Sequence, residues 1–106
     1  MTARDAAGGP AVTRNDAESR YELHDGGTLL AVLDYRDNCT AVALTRAFTI
    51  PVHRGHGHAA TLTAGAVEDI EARGGAAGGR QIVPLCWYVA QWLEEHPEKV
   101  HLVAPR

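Results

Sequence analysis

The chain has 106 residues, of which 45% are hydrophobic, and a formal net charge of −3. This length supports one hydrophobic core, so we expect a single domain over residues 11–106 and a disordered Ala- and Gly-rich tail over residues 1–10. The Lys and Arg residues are scattered, which argues against a nucleic-acid partner. No apolar run is as long as a membrane span and the first residues do not resemble a signal peptide, so we expect a cytoplasmic protein without a membrane partner.

The first half of the chain has the pattern of antiparallel strands. Three segments are predicted as strands: residues 19–24, 28–35 and 40–50. Asp25-Gly26-Gly27 between the first two predicts a hairpin turn. In the third segment Val42, Leu44 and Phe48 are expected on one face. The sequence therefore predicts a β-meander.

The second half changes to a helical period. Ala59, Leu62, Ala66 and Ile70 are spaced three and four residues apart and predict one face of a helix. A glycine linker, a short buried strand and a second helix ended by a proline are predicted after it, over residues 74–79, 81–85 and 89–96. The fold class expected is α+β: a mixed sheet with an antiparallel meander, a strand-helix-strand crossover and a short C-terminal helix.

The stretch Arg-Gly-His-Gly-His-Ala at residues 54–59 lies between the third predicted strand and the first predicted helix. Glycines at alternate positions let the backbone approach a ligand closely, and the helix turns its first N–H groups and positive dipole end toward that ligand. Phosphate or pyrophosphate suits such a turn. The sequence therefore predicts an anion-binding turn here.

This turn has the pattern R-G-x-G-x-A, and two blocks follow it, Leu-Cys-Trp-Tyr-Val at residues 85–89 and His-Pro-Glu at residues 96–98. Together they resemble the GNAT superfamily of N-acetyltransferases, in particular its minimal single-domain, YjdJ-type members, over about residues 19–103. The resemblance implies a GNAT-like sheet whose two central parallel strands, the third and fourth predicted here, splay apart to admit acetyl-CoA. It also implies that the pantetheine arm follows the first of them while the turn holds the pyrophosphate.

The resemblance carries over a set of cofactor-binding positions. These are Thr49, Ile50, Arg54, Gly55, His56, Gly57, His58, Ala59 and Tyr88. The chain departs from the family pattern at Val52, where Gln or Arg is usual, and at Arg46-Ala47, where small relatives often carry His-Thr. Acetyl-CoA is therefore expected as cosubstrate and a small-molecule or protein amine as acceptor, in a monomer or weak homodimer.

Cys86 is the candidate catalytic residue. It lies at a predicted strand-to-helix junction, where a helix N-terminus stabilises a thiolate, and in the resembled family this cysteine lies near the acetyl thioester. Two interpretations stay open: a nucleophile or thioester-positioning group, and a small buried hydrophobe. Cys39 has no histidine near it in sequence, so we expect an ordinary strand cysteine and two unpaired thiols.

Three histidines, His53, His56 and His58, raise the hypothesis of a Zn²⁺ site completed by Cys86. Their spacing fits no familiar zinc pattern, and a loop that wraps phosphate points its side chains outward, so we expect no metal. His96 is expected to have a structural role at the end of the second helix.

The function predicted from these residues is acetyl-CoA-dependent N-acetyl transfer to an unidentified amine. Direct attack by the amine and transfer through Cys86 are both compatible with the sequence. The alternative is a catalytically weak acyl-CoA-binding module that acts through a partner, because no general base is evident. A binder of some other phosphate compound is the third option.

Overall fold

The computed structural model describes residues 10–38, 40–73 and 81–104. In this part of the chain one sheet contains the strands β1 (Ala11–Asn15), β2 (Arg20–Asp25), β3 (Thr28–Asp37), β4 (Ala41–Thr49) and β5 (Gln81–Pro84). The α-helices are α1 (His58–Ala72) and α2 (Trp87–Glu94). Most of the predicted tail, Cys39 and the predicted linker over residues 74–79 lie outside the described residues.

The strands lie in the sheet in chain order. β1 to β4 pair antiparallel, and β4 and β5 pair parallel on either side of the α1 connection. Gly26 and Gly27 form the β2–β3 turn with φ of +57° and +90°, as a tight hairpin requires. The predicted α+β fold is therefore confirmed. β1 is a strand that the sequence pattern did not predict.

The expectation that the parallel pair is central in the sheet is wrong, because β5 is the last strand of the sheet among residues 10–38, 40–73 and 81–104. After α2 the chain forms a 3-10 turn at Pro97–Leu102 and meets β5 through a bridge between Val103 and Ile82. There the Ala104 N–H donates to the Ile82 carbonyl (2.8 Å). Pro84 lacks an N–H and therefore offers no donor for pairing along this edge.

The predicted common face of Val42, Leu44 and Phe48 is also wrong for Phe48. Tyr35 pairs with Leu44 and Asp34 with residue 46, so Thr45 is an extra residue in β4. A bulge of this kind shifts the alternation of side chains by one residue. Ala47, rather than Phe48, therefore packs against the core.

Both helices pack on the sheet around one core. Leu62, Ala66 and Ile70 of α1 are buried, as the helical spacing predicted. Val89 and Trp92 of α2 are buried in the same core. Full burial of a Leu, Ile or Val side chain among them contributes about 1.5–3 kcal/mol. No helix in the described part of the chain is long and apolar enough to cross a bilayer.

β1 is joined to α1 by polar and close-packed contacts. The guanidinium carbon of Arg14 lies 4.7 Å from the Tyr35 ring centre, and an Arg14 nitrogen lies 3.6 Å from Asp69 of α1. The Tyr21 hydroxyl donates to Asp69 (2.7 Å), and burial raises the pKa of Tyr21, so this hydroxyl stays a donor. These contacts fix α1, and with it the turn before the helix, against the sheet.

Candidate active site

β4 and β5 separate at Leu44. The strands pair over residues 41–44 and 81–84, and there the Leu44 carbonyl accepts hydrogen bonds from the N–H groups of Leu85 (3.1 Å) and Cys86 (3.0 Å). The chain then turns into α2 while β4 continues. We call the space between the continuing part of β4 and Cys86 the wedge, and its apex is the Leu44 carbonyl.

The β4 edge that faces the wedge carries backbone groups without a β5 partner. The Ile50 N–H donates to the Leu30 carbonyl on the β3 side (2.9 Å), and successive residues of a strand direct their backbone groups to opposite edges. The backbone groups of Ala47 and Thr49 therefore face the wedge. Because Nε of Arg54 donates to the Thr49 carbonyl (3.3 Å), Ala47 supplies the more open hydrogen-bonding position.

A glycine-containing loop leads from β4 into α1. It begins with a 3-10 turn at Pro51–His53, in which the His53 N–H donates to the Ile50 carbonyl (2.8 Å). Both backbone groups of Ile50 are thus used inside the protein. Gly55 and Gly57 have φ of +87° and +75°, which glycine adopts without the Cβ penalty. A Cβ added at either residue would have no protein atom within 4 Å, so the surrounding space is open.

The N-terminus of α1 is not capped by a side chain. Gly57 is the N-cap residue, and the first turn contains no acidic residue. The first intrahelical bond runs from the Thr61 N–H to the Gly57 carbonyl (3.1 Å). The N–H groups of His58 and Ala59 therefore have no intrahelical acceptor, and with the helix dipole they attract an anion. This geometry suits a phosphate or pyrophosphate.

Two arginines lie beside the end of β4. The guanidinium carbons of Arg46 and Arg54 are 5.1 and 5.8 Å from the centre of the Phe48 ring. The Arg46 side chain is 64% exposed and lies 4.0 Å from Asp34. Arg54 is exposed as well. Both groups place positive charge near the glycine loop although the chain as a whole is negative.

Cys86 lies at the apex of the wedge as the N-cap residue of α2. Its carbonyl accepts the Ala90 N–H (3.0 Å), and its side chain is a free, half-buried thiol that packs against the core. No side chain caps this helix, so the thiol shares the α2 N-terminus with the N–H groups of Trp87 and Tyr88, which have no intrahelical acceptor. The location suits both interpretations of Cys86, the reactive and the packing one.

The two aromatic residues that begin α2 differ in exposure. Trp87 is 74% exposed, whereas Tyr88 is half-buried, and their rings meet edge to face at 5.8 Å. Burial, and to a lesser degree the charge of Glu95, raises the pKa of Tyr88. The Tyr88 hydroxyl therefore stays protonated at neutral pH and can donate a hydrogen bond.

The histidines separate into two places. The rings of His56 and His58 in the loop are 5.6 Å apart, and within the described ranges no group of three or more His, Cys, Asp or Glu residues is placed to hold a metal ion. His96 stacks on Trp92 (3.8 Å between ring centres), and its Nδ1 lies 2.7 Å from the Trp92 carbonyl oxygen. These contacts give His96 a structural role at the end of α2.

Three features of the site were missed from the sequence. They are the Leu44 carbonyl as apex, the bulge at Thr45, and an apolar cavity on the outer side of β5. A bulge leaves no marker in an alternating segment, and the cavity is lined by segments distant along the chain. Of these features, only the end of β5 beside the apex is indicated by the sequence, because Pro84 has no N–H for further strand pairing.

A comparison with models of known protein families matches residues 20–102 to the family described as GCN5-related N-acetyl-transferase. The matched segment begins with β2 and includes the wedge, the glycine loop and Cys86, whereas β1 lies outside it. A search of curated proteins finds no match.

Proposed function

Because the chain belongs to the GCN5-related N-acetyltransferase family, we propose that it transfers an acetyl group from acetyl-CoA to an amine. Family membership makes it an acetyltransferase, while acetyl-CoA, the amine and the YjdJ-type assignment are proposals. One observation carries the proposal. The open wedge between β4 and β5 is bordered by β4, and the uncapped glycine loop before α1 follows the end of that same strand.

The residues around the loop fit the pyrophosphate of CoA. The N–H groups that begin α1 supply donors, and Gly55 and Gly57 leave space where a Cβ would stand. Arg54 adds a cation, and His56 lies in the same loop. The pantetheine amides are proposed to pair with the β4 edge at Ala47 and to pass Thr49 and Ile50 toward the apex.

The apex is where the thioester is proposed to react. The amine nitrogen attacks the thioester carbonyl, the new C–N bond forms and the C–S bond breaks. The proton that the amine loses passes to solvent and balances the proton that the departing CoA sulfur takes up. The N–H groups of Trp87 and Tyr88 polarise the carbonyl oxygen, because they have no intrahelical acceptor. The protonated Tyr88 hydroxyl is a suitable proton donor to the departing CoA thiolate.

Cys86 supports a second route to the same products. Cys86 loses its thiol proton and its sulfur attacks the thioester, which forms an acetyl-cysteine, while the departing CoA sulfur takes up a proton and leaves as the thiol. The amine then attacks the acetyl-cysteine, the amide forms, and the proton that the amine loses restores the Cys86 thiol. This route predicts a mass gain on the protein when acetyl-CoA is present without an acceptor. The mass gain is lost when a thiol is added. Direct transfer predicts no such species.

The proposal is tested first by binding. A ligand that binds only the folded protein raises its stability by about 2.7 kcal/mol at one hundred times its dissociation constant, so acetyl-CoA should raise Tm. Adenine nucleotides without the pantetheine arm should raise it less. The absence of any rise with every CoA compound would contradict the proposed donor.

Turnover then separates an enzyme from a binding module. We expect release of CoA thiol from acetyl-CoA with at least one member of a panel of primary amines, at a rate above that of the protein without amine. Tight binding of acetyl-CoA without thiol release for any amine would contradict the proposed activity. The Cys86→Ser variant, measured for both CoA affinity and turnover, then distinguishes the two routes.

A further inference from the structure

An apolar cavity of about 490 Å³ lies between the outer side of β5, α2 and the segment that follows α2. Val83 and Leu85 line it from the strand side, Ala90 and Leu93 from α2, and Val103 from the last segment. Its volume lies in the range of small-molecule sites. Glu94 is the charged residue of the lining.

Two residues that line the cavity are hydrogen-bonded to the residues at the apex of the wedge. The N–H of Leu85 is bonded to the Leu44 carbonyl where the strands separate, and the same residue lines the cavity. Cys86 follows directly, and Ala90, one helical turn later, lines the cavity and donates to the Cys86 carbonyl. A group at the proposed thioester position is therefore next to the cavity.

The character of the cavity restricts its occupant. A peptide strand cannot extend the sheet here, because Ile82 is already bridged to Val103 and Pro84 offers no N–H. Leu85 and Val100 at the cavity are 65% and 63% exposed, so an apolar group would remove them from water. The methyl group of an acetyl thioester would fill only a small part of the volume.

We propose that the cavity binds the acyl chain of acyl-CoA thioesters longer than acetyl, so that the protein accepts uncharged chains of medium length as well as acetyl. This inference rests on the proposed function, since it places the thioester at the apex. Glu94, which is exposed at the cavity, repels a chain that ends in a carboxylate, so dicarboxylic acyl groups should bind more weakly than saturated chains of the same length.

The test is isothermal titration of the full chain with acetyl-, butyryl-, hexanoyl- and succinyl-CoA. Burial of a methylene contributes about 0.8 kcal/mol, which converts to about fourfold tighter binding for each added methylene. Butyryl-CoA, with two more methylenes, should therefore bind about 15-fold more tightly than acetyl-CoA. Succinyl-CoA, of the same chain length, should bind more weakly than butyryl-CoA. Glu94→Gln should reduce the difference in affinity between butyryl-CoA and succinyl-CoA and leave the affinity for acetyl-CoA unchanged.

Ala90→Leu places a larger apolar side chain in the cavity, where it occupies space that the acyl chain would need, and so tests the location. This variant should keep the wild-type affinity for acetyl-CoA. Its affinity should no longer increase with the length of the acyl chain. If it does not fold, Val100→Ser, at an exposed residue of the lining, should reduce the gain in the same way. If the wild-type protein binds acetyl-CoA but its affinity does not increase with acyl chain length, the inference is overturned and the proposed function stays intact. A gain that Ala90→Leu and Val100→Ser do not reduce would also overturn it, and no binding of any CoA thioester would overturn both.

Discussion

The glycine loop gives the sharpest test, because the chain contains a matched control for it. Gly55 before α1 and Gly27 in the β2–β3 turn have φ of +87° and +90°, and an added Cβ meets no protein atom within 4 Å at either residue. Alanine in this left-handed conformation costs roughly 1–2 kcal/mol. Gly55→Ala and Gly27→Ala should therefore lower Tm by similar amounts, about 4–8 °C for each kcal/mol in a domain of this size.

The two variants should differ in CoA binding. A hydrogen bond between a backbone N–H and a charged phosphate contributes about 1.5–3 kcal/mol, so the loss of one such bond weakens binding roughly 10- to 150-fold. In Gly55→Ala the new Cβ would occupy the open space in which the phosphate is proposed to approach the backbone, so we expect this loss of affinity there. Gly27→Ala should keep the wild-type affinity. Both affinities are measured by titration at a temperature where both variants are folded. Equal CoA affinities of the two variants would refute a phosphate contact at this loop.

Three further predictions concern the thiol, the packing of β1 and a buried carboxylate. Iodoacetamide should label Cys86 before Cys39 at neutral pH, with labelling slowed by CoA and unaffected by an unrelated nucleotide; the reverse order in mass mapping would remove Cys86 from the site. Gly65→Ala should destabilise the fold by about 1–3 kcal/mol, because the new Cβ would lie 2.6 Å from Cγ2 of Val12. In a Val12→Ala background the free-energy cost of Gly65→Ala should be smaller, because the clashing Cγ2 atom is gone. If denaturant unfolding shows that the effects of Val12→Ala and Gly65→Ala simply add, the close approach of the two residues is contradicted. Glu22 accepts hydrogen bonds from Asn15 and Arg20, and these bonds lower the pKa of its carboxyl group. The ionised carboxylate therefore stabilises the folded protein above pH 4.5, and this stabilisation is lost as the pH falls through the lowered pKa. Glu22→Gln should therefore cost about 1–3 kcal/mol at pH 7 and less at pH 3, while the exposed Glu18→Gln serves as control.

The features predicted correctly from the sequence depend on local rules. The helical spacing of Leu62, Ala66 and Ile70 placed the buried face of α1, and Gly26-Gly27 located the hairpin turn. Both follow from the conformational preferences of a few neighbouring residues. The glycine loop belongs to the same class, since its left-handed residues are marked by Gly55 and Gly57.

The features that were missed depend on contacts distant along the chain. The short segment of β1 contains Arg14, and a charged residue suggests exposure unless Tyr35 and Asp69 are known to surround it. Phe48 was assigned to the wrong face because strict alternation ignores the extra residue Thr45. The cavity requires β5, α2 and Val103 to meet, which no local pattern reports.

The central claim is that acetyl-CoA occupies the wedge with its pyrophosphate on the glycine loop. Titration of the ¹⁵N-labelled protein with acetyl-CoA, followed by amide chemical shifts, tests this claim most directly. We predict large, saturable shifts for Gly55 and Gly57 in the loop and for Ala47 and Cys86 in the wedge, with Gly27 in the β2–β3 turn unchanged. Saturable shifts confined to other surfaces, or no shift at acetyl-CoA concentrations up to the millimolar range, would contradict the account.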